Sequence, residues 1–176
     1  GMVYDGLLDA YKKIHMGVCA EMCAKKYKLS RSEQDDYAIR SYEKSQKAIN
    51  DGIFNHEISP ITIDQKGKKI IIHNDEEPFR FDSDKISQLN PVFQKNGTVT
   101  AGNASTINDG ASVCLITDIK NANDLKLKPL AKIIDFCSVA LEPEWFTIAP
   151  IKAIQKILKK TGLDIGLIDL FEINEA

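Results

Sequence analysis

Four groups of residues in this 176-residue chain have types and spacings that could do chemistry. The most informative is Gly97-Thr-Val-Thr-Ala-Gly-Asn-Ala-Ser-Thr-Ile-Asn-Asp-Gly110, a long run of small and hydroxylic residues. Small side chains leave main-chain amides and carbonyls open to a ligand, although a tight structural turn accounts for the same composition equally well. No Gly-Lys-Ser/Thr follows, which excludes a nucleotide-triphosphate loop. Asn103-Ala-Ser105 also matches a glycosylation sequon, a pattern too short to weigh alone. Arg80-Phe-Asp82 with Lys85 sets two cations beside an aromatic ring, a combination that could hold phosphates and stack a base, or simply be solvated surface. His15, Cys19 and Cys23 recur at i, i+4 spacings, as soft metal ligands on one helical face would. Packing is the favoured reading for them, because unpaired cysteines are mostly buried small hydrophobes and no further ligand is placed. Asn174 stands at the carboxyl end of an expected strand, where its amide could orient a water or a carbonyl oxygen, or cap a turn. His56 and His73, in or beside turns, read as surface residues.

The elements that must position these groups come in two styles. A helix over about Val18 to Tyr27 is followed by a second opening at Ser30, which with Glu33 has capping-box spacing and which Asp51-Gly52 would stop. Ile58, Ile61 and Ile63, a Lys66-Gly67 turn and the run Ile70-Ile71-Ile72 predict a hairpin. Residues 74–90 read as an exposed acidic loop with one short helix near Ile86 to Leu89. From about Asn108 the pattern alternates: strand Ala111 to Ile116, helix Ile119 to Leu125, strand Ala131 to Val139, helix Pro150 to Lys160 ending at Gly162, strand Leu170 to Asn174. That alternation predicts a layered α/β sheet beginning near residue 108.

Composition narrows the class. With 23 Lys+Arg against 25 Asp+Glu there is no overall field to gather nucleic acid, and no run approaches the roughly 20 apolar residues of a spanning helix. The start, Gly-Met-Val-Tyr-Asp-Gly, has no signal-peptide character and reads as an excised piece. Four cysteines without a CxxC pair suit a reducing compartment.

Taken together, His15-Met-Gly, the run from Asn96 to Ala111 and Asn174-Glu-Ala176 occur in the order and spacing found in thiolases, as does Ser32-Glu-Gln-Asp-Asp-Tyr-Ala38. The chain therefore resembles the thiolase family over essentially its whole length. That resemblance implies a partial thiolase-like layered αβαβα fold of class α/β, with an α+β loop domain over the coenzyme A site. Residues 1–107 would be loop domain and 108–176 the first part of the C-terminal α/β domain.

The implied activity is acyl transfer: two acetyl-CoA condense to acetoacetyl-CoA and coenzyme A, or the reverse thiolysis occurs. In the family a cysteine attacks the thioester, a histidine activates it and a second cysteine exchanges the α-proton. Cys19, Cys23, Cys114 and Cys137 match none of these, so the segment alone is expected to be inactive. The resemblance assigns His15 and Met16 to the pantetheine and acyl group, Ser105 to the pantetheine arm, and Arg80, Phe81, Asp82 and Lys85 to the adenine and phosphate end. Asn174 corresponds to an oxyanion-hole asparagine acting through a water. Tyr42 and the carbonyls of Ala101, Gly102 and Ala104 correspond to a potassium site in mitochondrial short-chain members, with Gly102 departing from the expected alanine. Acetyl-CoA and acetoacetyl-CoA would be the partners of a homodimer or homotetramer in the mitochondrion, with the cytoplasm as alternative, serving lipid and ketone-body metabolism. Competing readings are a long-chain 3-ketoacyl-CoA thiolase and a non-catalytic acyl-CoA or lipid-binding relative.

Overall fold

The structure is a computed structural model and describes residues 1–175. Ala176, the last residue of the Asn174 motif, lies outside the described residues. The chain opens with a wide single turn at Val3–Leu7 and a bridge between Leu8 and His15, which leads into helix α1, Met16–Tyr27. This helix starts two residues before the sequence suggests because His15 itself is the N-cap. Its Nδ1 accepts from the Gly17 amide at 3.0 Å. His15 thus stands outside the helix, not on one face of it with the two cysteines. Lys28, in the left-handed region, closes α1.

Helix α2, Arg31–Asn50, has the expected capping box: Ser30 accepts from the Glu33 amide and Glu33 accepts from Ser30 N–H. Asp51 and Gly52, at φ +69°, end it as predicted. Strands β1, Ile61–Gln65, and β2, Lys68–Ile72, form the expected antiparallel hairpin in the register Ile61↔Ile72 to Gln65↔Lys68, with Gly67 at φ +81° in the turn. The acidic loop carries two short 3₁₀ turns, Glu77–Arg80 and Ile86–Gln88, of which sequence pattern suggested only the second. Helices α3, Ile119–Asp124, and α4, Ala149–Thr161, also lie where expected, with Pro150 in the first turn of α4 and Gly162 in the left-handed region after it.

The strands expected at 111–116, 131–139 and 170–174 are not formed as ladders. Among the described residues the only sheet is the β1–β2 hairpin. A strand exists through its neighbour's hydrogen bonds, and among the described residues these segments pair with no neighbour. Their apolar side chains stand open: Val113 is 96 % exposed and Leu170 89 %. Strand-like alternation nevertheless survives at 135–139. Asp135, Cys137 and Val139 are half-buried while Phe136 and Ser138 are exposed, and α4 reaches over one side, with Lys156 Nζ donating to Ser138 O at 2.8 Å and Lys160 Nζ to Phe136 O at 3.1 Å.

The best-packed region lies where α1 and α2 meet the stretch from Ile86 to Ala104. Ala24, Ile86 and Val99 are buried there, and so are three polar residues, Glu21, Asp35 and Thr100, while Cys19 is buried on α1 near Asp9 and Glu144. Burying an Ile side chain such as Ile86 contributes about 2–3 kcal/mol. The 3₁₀ turns at Pro143–Ile148 pack back on α1, where Lys26 Nζ lies 4.2 Å from the Trp145 ring centroid and Lys12 pairs with Glu144.

Candidate functional site

The small-residue run is held by side chains from both long helices. Glu21, on α1 and 5 % exposed, accepts from Thr98 N at 2.8 and 3.0 Å, from Val99 N at 2.8 Å and from Thr98 Oγ1 at 3.0 Å. Gly97 is a glycine for a steric reason, since a Cβ there would meet Glu21 Oε1 at 2.3 Å. On the α2 side, Asp35 accepts from Arg31 Nε at 2.7 Å and from Asn103 Nδ2 at 2.8 Å. Asn103 also donates to Thr98 O at 3.0 Å and accepts from Thr100 N at 2.7 Å. Arg31 continues the chain of bonds to the carbonyls of Ile86, at 2.7 Å, and Leu89, at 3.0 Å. The run is therefore a pinned turn from Gly97 to Ala104, as the structural reading of its composition expects, followed by exposed residues from Ser105 to Gly110.

Beside it opens a cleft of about 380 Å³ lined by α2 residues Tyr37, Ala38, Ser41, Tyr42 and Ser45, by the run from Gly102 to Thr106 with Asn108, and by Asp75, Glu77, Pro78 and Glu175. Three carboxylates and no Lys, Arg or His line it. Tyr42 is fixed on two sides: its ring stacks on Phe81 with centroids 4.0 Å apart and planes 4° apart, and its hydroxyl donates to Glu77 at 3.3 Å. Burial, with the Glu77 carboxylate beside it, pushes the Tyr42 phenol above its ordinary pKa of 10.0, so it stays neutral. Glu175 accepts from Tyr37 Oη at 2.8 Å and from Ser41 Oγ, and its hydrogen bond raises the Tyr37 pKa.

The structure thus brings Tyr42, Gly102, Ala104 and Ser105 to one cleft, with Phe81 behind Tyr42. Ala101 is exposed and is not on the cleft wall. Arg80 and Lys85 are exposed and paired, Arg80 with Glu76 at 2.5 Å and Lys85 with Asp82 at 2.5 Å. The Lys85 ammonium holds Asp82 below the usual carboxylate range, and Asp82 in turn raises Lys85. Exposed pairs of this kind are worth about 0–1 kcal/mol, so an incoming phosphate could take either cation. His15 stacks on Phe93 at 4.7 Å, and a Cβ at Gly17 would meet the Phe93 ring at 2.3 Å. His15, Met16 and Asn174 do not line the cleft; Met16 and Asn174 are exposed.

Among the described residues no group of three His, Cys, Asp or Glu side chains converges as a metal site. All four cysteines are free, and burial pushes the Cys19 thiol up, away from what a nucleophile needs. Sequence reasoning gave Glu21 and Asp35 no role of their own, and took Asn103 only as part of the small-residue run and of a sequon. The signals were present: Glu21 interrupts the small apolar run Cys19-Ala20 and Met22-Cys23-Ala24, and Asp35 lies one turn after Arg31.

The fold that holds this pinned run of small residues beside the tyrosine-bearing helix α2 is shared with known proteins. Residues 1–120 match the family described as thiolase, N-terminal domain, and residues 127–176 match thiolase, C-terminal domain. This chain belongs to the thiolase family. Within it, the chain is 51% identical to the mitochondrial acetyl-CoA acetyltransferase A of Xenopus laevis and 51% identical to the mitochondrial acetyl-CoA acetyltransferase of Rattus norvegicus, in each case over 99% of this chain. It spans 42% of the length of both relatives. The fold is that of the Bacillus anthracis acetyl-CoA acetyltransferase, with a TM-score of 0.95 at 39% identity over 99% of this chain and 45% of that one. A thiolase from Ascaris suum, solved in complex with coenzyme A, gives 0.93 at 40% identity over 99% and 44%.

Proposed function

We propose that this chain is the coenzyme A-covering part of an acetyl-CoA acetyltransferase, in which residues 1–107 form a loop domain and residues 108–176 begin the second α/β half. The parent enzyme condenses two acetyl-CoA to acetoacetyl-CoA and coenzyme A, or runs the thiolytic reverse. The observation that carries this reading is the cleft in which Tyr42, Gly102, Ala104 and Ser105 share one wall.

Ser105 would hydrogen-bond the pantetheine arm, and His15 and Met16 would lie beside it. Arg80 and Lys85, released from Glu76 and Asp82, would meet the phosphates, with Phe81 near the adenine. Asn174 would fix a water in the oxyanion hole, where one preorganised donor contributes about 3–4 kcal/mol. The nucleophile and the proton-transfer groups are assigned to other residues than the four cysteines present.

Potassium fits the donor chemistry of the cleft: a neutral phenol, main-chain carbonyls at Gly102 and Ala104, and surrounding carboxylates suit a hard monovalent cation. Tyr42 and these carbonyls would hold it, while Ala101, which the resemblance also names, stands off the cleft wall. The ion would supply a local positive charge that offsets Glu77 and stiffens the run at Ser105. Names of relatives support a mitochondrial compartment, and a homodimer or homotetramer is the expected assembly.

The test uses the full-length protein. Initial rates with acetoacetyl-CoA and with a long-chain 3-ketoacyl-CoA, each with and without potassium, should favour the short substrate and rise with potassium. Preference for the long chain would move the assignment to long-chain thiolase. Coenzyme A binding without turnover of either would make the protein a non-catalytic acyl-CoA binder.

A further inference from the structure

The Asn103 side chain occupies a singular place. It lies between Gly102 and Ala104, and every hydrogen-bonding group on its amide is used: one N–H to Asp35 Oδ1 at 2.8 Å, the other to Thr98 O at 3.0 Å, and its oxygen to Thr100 N at 2.7 Å. Two of the residues it touches are closed to water, Asp35 at 5 % exposure and Thr100 at 0 %. Asp35 lies on α2 seven residues before Tyr42, so the two share a helix face and are separated by about 10 Å along the axis. The remaining oxygen of Asp35 is held by Arg31 at 2.7 Å, and Arg31 is tied to the Ile86 and Leu89 carbonyls. The Ile86 and Leu89 side chains in turn sit against Gly102, where a Cβ would meet them at 2.9 and 2.8 Å.

We propose that Asn103, through its hydrogen bond to Asp35, is the positioning residue that sets the register between the main-chain carbonyls of the small-residue run and the Tyr42 hydroxyl, and so sets the affinity of the cleft for potassium and for the coenzyme A arm. The inference rests on the reading of the cleft given under Proposed function. Its physical basis is leverage. One neutral amide crosslinks the turn to itself and to the helix that carries Tyr42, and no other side-chain hydrogen bond joins residues 101–104 directly to α2 among the described residues. A displacement of that turn by about 1 Å is enough to cost a factor of ten or more in a function that needs several donors to converge.

The experiment is a charge-and-polarity exchange in the full-length protein. Asn103→Asp sets a second carboxylate against Asp35 and removes the donor to Thr98 O. Asp35→Asn in the same chain restores one N–H···O bond across the pair in the opposite sense. Three quantities are read: coenzyme A Kd by calorimetry, the potassium-induced shift in Tm compared with sodium, and KM and kcat for acetoacetyl-CoA. Asn103→Asp should weaken coenzyme A binding and raise KM about tenfold, abolish the potassium-specific shift, and bring kcat to the value that the parent shows without potassium. The double variant should recover Kd and KM to within about threefold of the parent.

A uniform fall in Tm with Kd, KM and the potassium shift unchanged would make Asn103 only a structural residue and overturn the proposal. So would a double variant no better than Asn103→Asp. Should Asn103→Asp fail to fold, Asp35→Asn alone carries the test, because it keeps an acceptor but removes its charge. A two- to threefold rise in Kd then supports the proposal, and no change overturns it. If the parent protein itself shows neither a potassium-specific shift nor coenzyme A binding, the reading of the cleft fails and the register argument falls with it.

Discussion

Glu21→Ala would release the start of the small-residue run. The carboxylate accepts from three donors, Thr98 N, Val99 N and Thr98 Oγ1, all within 3.0 Å. Each buried donor left without a partner costs about 1–3 kcal/mol. Three such donors would set a ceiling near 9 kcal/mol, but the site is not sealed. Glu21 borders a second cleft of about 520 Å³ on the α1 side, through which water can reach some of the exposed donors. Thr98 Oγ1 also keeps its bond from Gln34 Nε2 at 2.9 Å. Two main-chain amides at about 1.5 kcal/mol each leave roughly 3 kcal/mol. Since 1.4 kcal/mol is a factor of ten, hydrogen exchange at Thr98 and Val99 should quicken on the order of 100-fold. Glu21→Gln keeps one oxygen able to accept from both amides, and should quicken exchange by about tenfold or less. The assay is hydrogen–deuterium exchange by mass spectrometry on a peptide covering residues 97–104. Exchange in Glu21→Ala within threefold of the parent would refute the argument, because it would mean that the carboxylate is not what closes these amides.

Three further outcomes follow from the same geometry. Tyr42→Phe keeps the stack on Phe81 and loses only a 3.3 Å bond to Glu77, so stability by urea denaturation should fall by no more than about 1 kcal/mol while the potassium response disappears. Because the folded Tyr42 pKa lies above 10.0, its contribution is fully present below that value and lost as pH rises through the folded pKa. Ultraviolet titration near 295 nm should show two late-ionising phenols, Tyr42 and Tyr37, and Tyr42→Phe should remove one of them. Gly102→Ala pushes a methyl against Ile86 and Leu89 and should cost about 1–3 kcal/mol by urea denaturation.

Local signals were read correctly where the physics was local. The Ser30–Glu33 box satisfies orphan amides within four residues, and the Lys66-Gly67 turn needs only a positive φ at both positions, which the structure has. Such features are decided by neighbours in sequence, so sequence reveals them. The runs at 111–116, 131–139 and 170–174 have the composition of strands, but a ladder is a property of two segments, and composition reports on one. The site divides the same way. The glycine-rich run stands out because it is long, whereas Tyr42 was named only through the resemblance to the family. Glu21 and Asp35 were not legible, since a carboxylate in mid-helix ordinarily marks a solvated face, and only donors about 70 positions away, main-chain amides on Glu21 and the Asn103 side chain on Asp35, reveal the buried role. His15 was misplaced within its helix because an imidazole seldom serves as the N-cap acceptor.

The half-covered stretch beside α4 has a consequence for handling the molecule. Ala111-Ser-Val-Cys-Leu-Ile116 carries no charge, and residues 131–139 carry only Lys132 and Asp135. Segments so poor in charge and rich in β-branched or aromatic residues nucleate intermolecular cross-β association when their edges are open. Phe136 at 79 % exposure and Val113 at 96 % sit on such edges. Whichever backbone reaches them first, from the same polypeptide or from another copy, decides between productive folding and inclusion bodies. Soluble yield of this chain is therefore a measure of who arrives first, and adding Lys or Glu at Val113 or Phe136 should raise it without changing any helix.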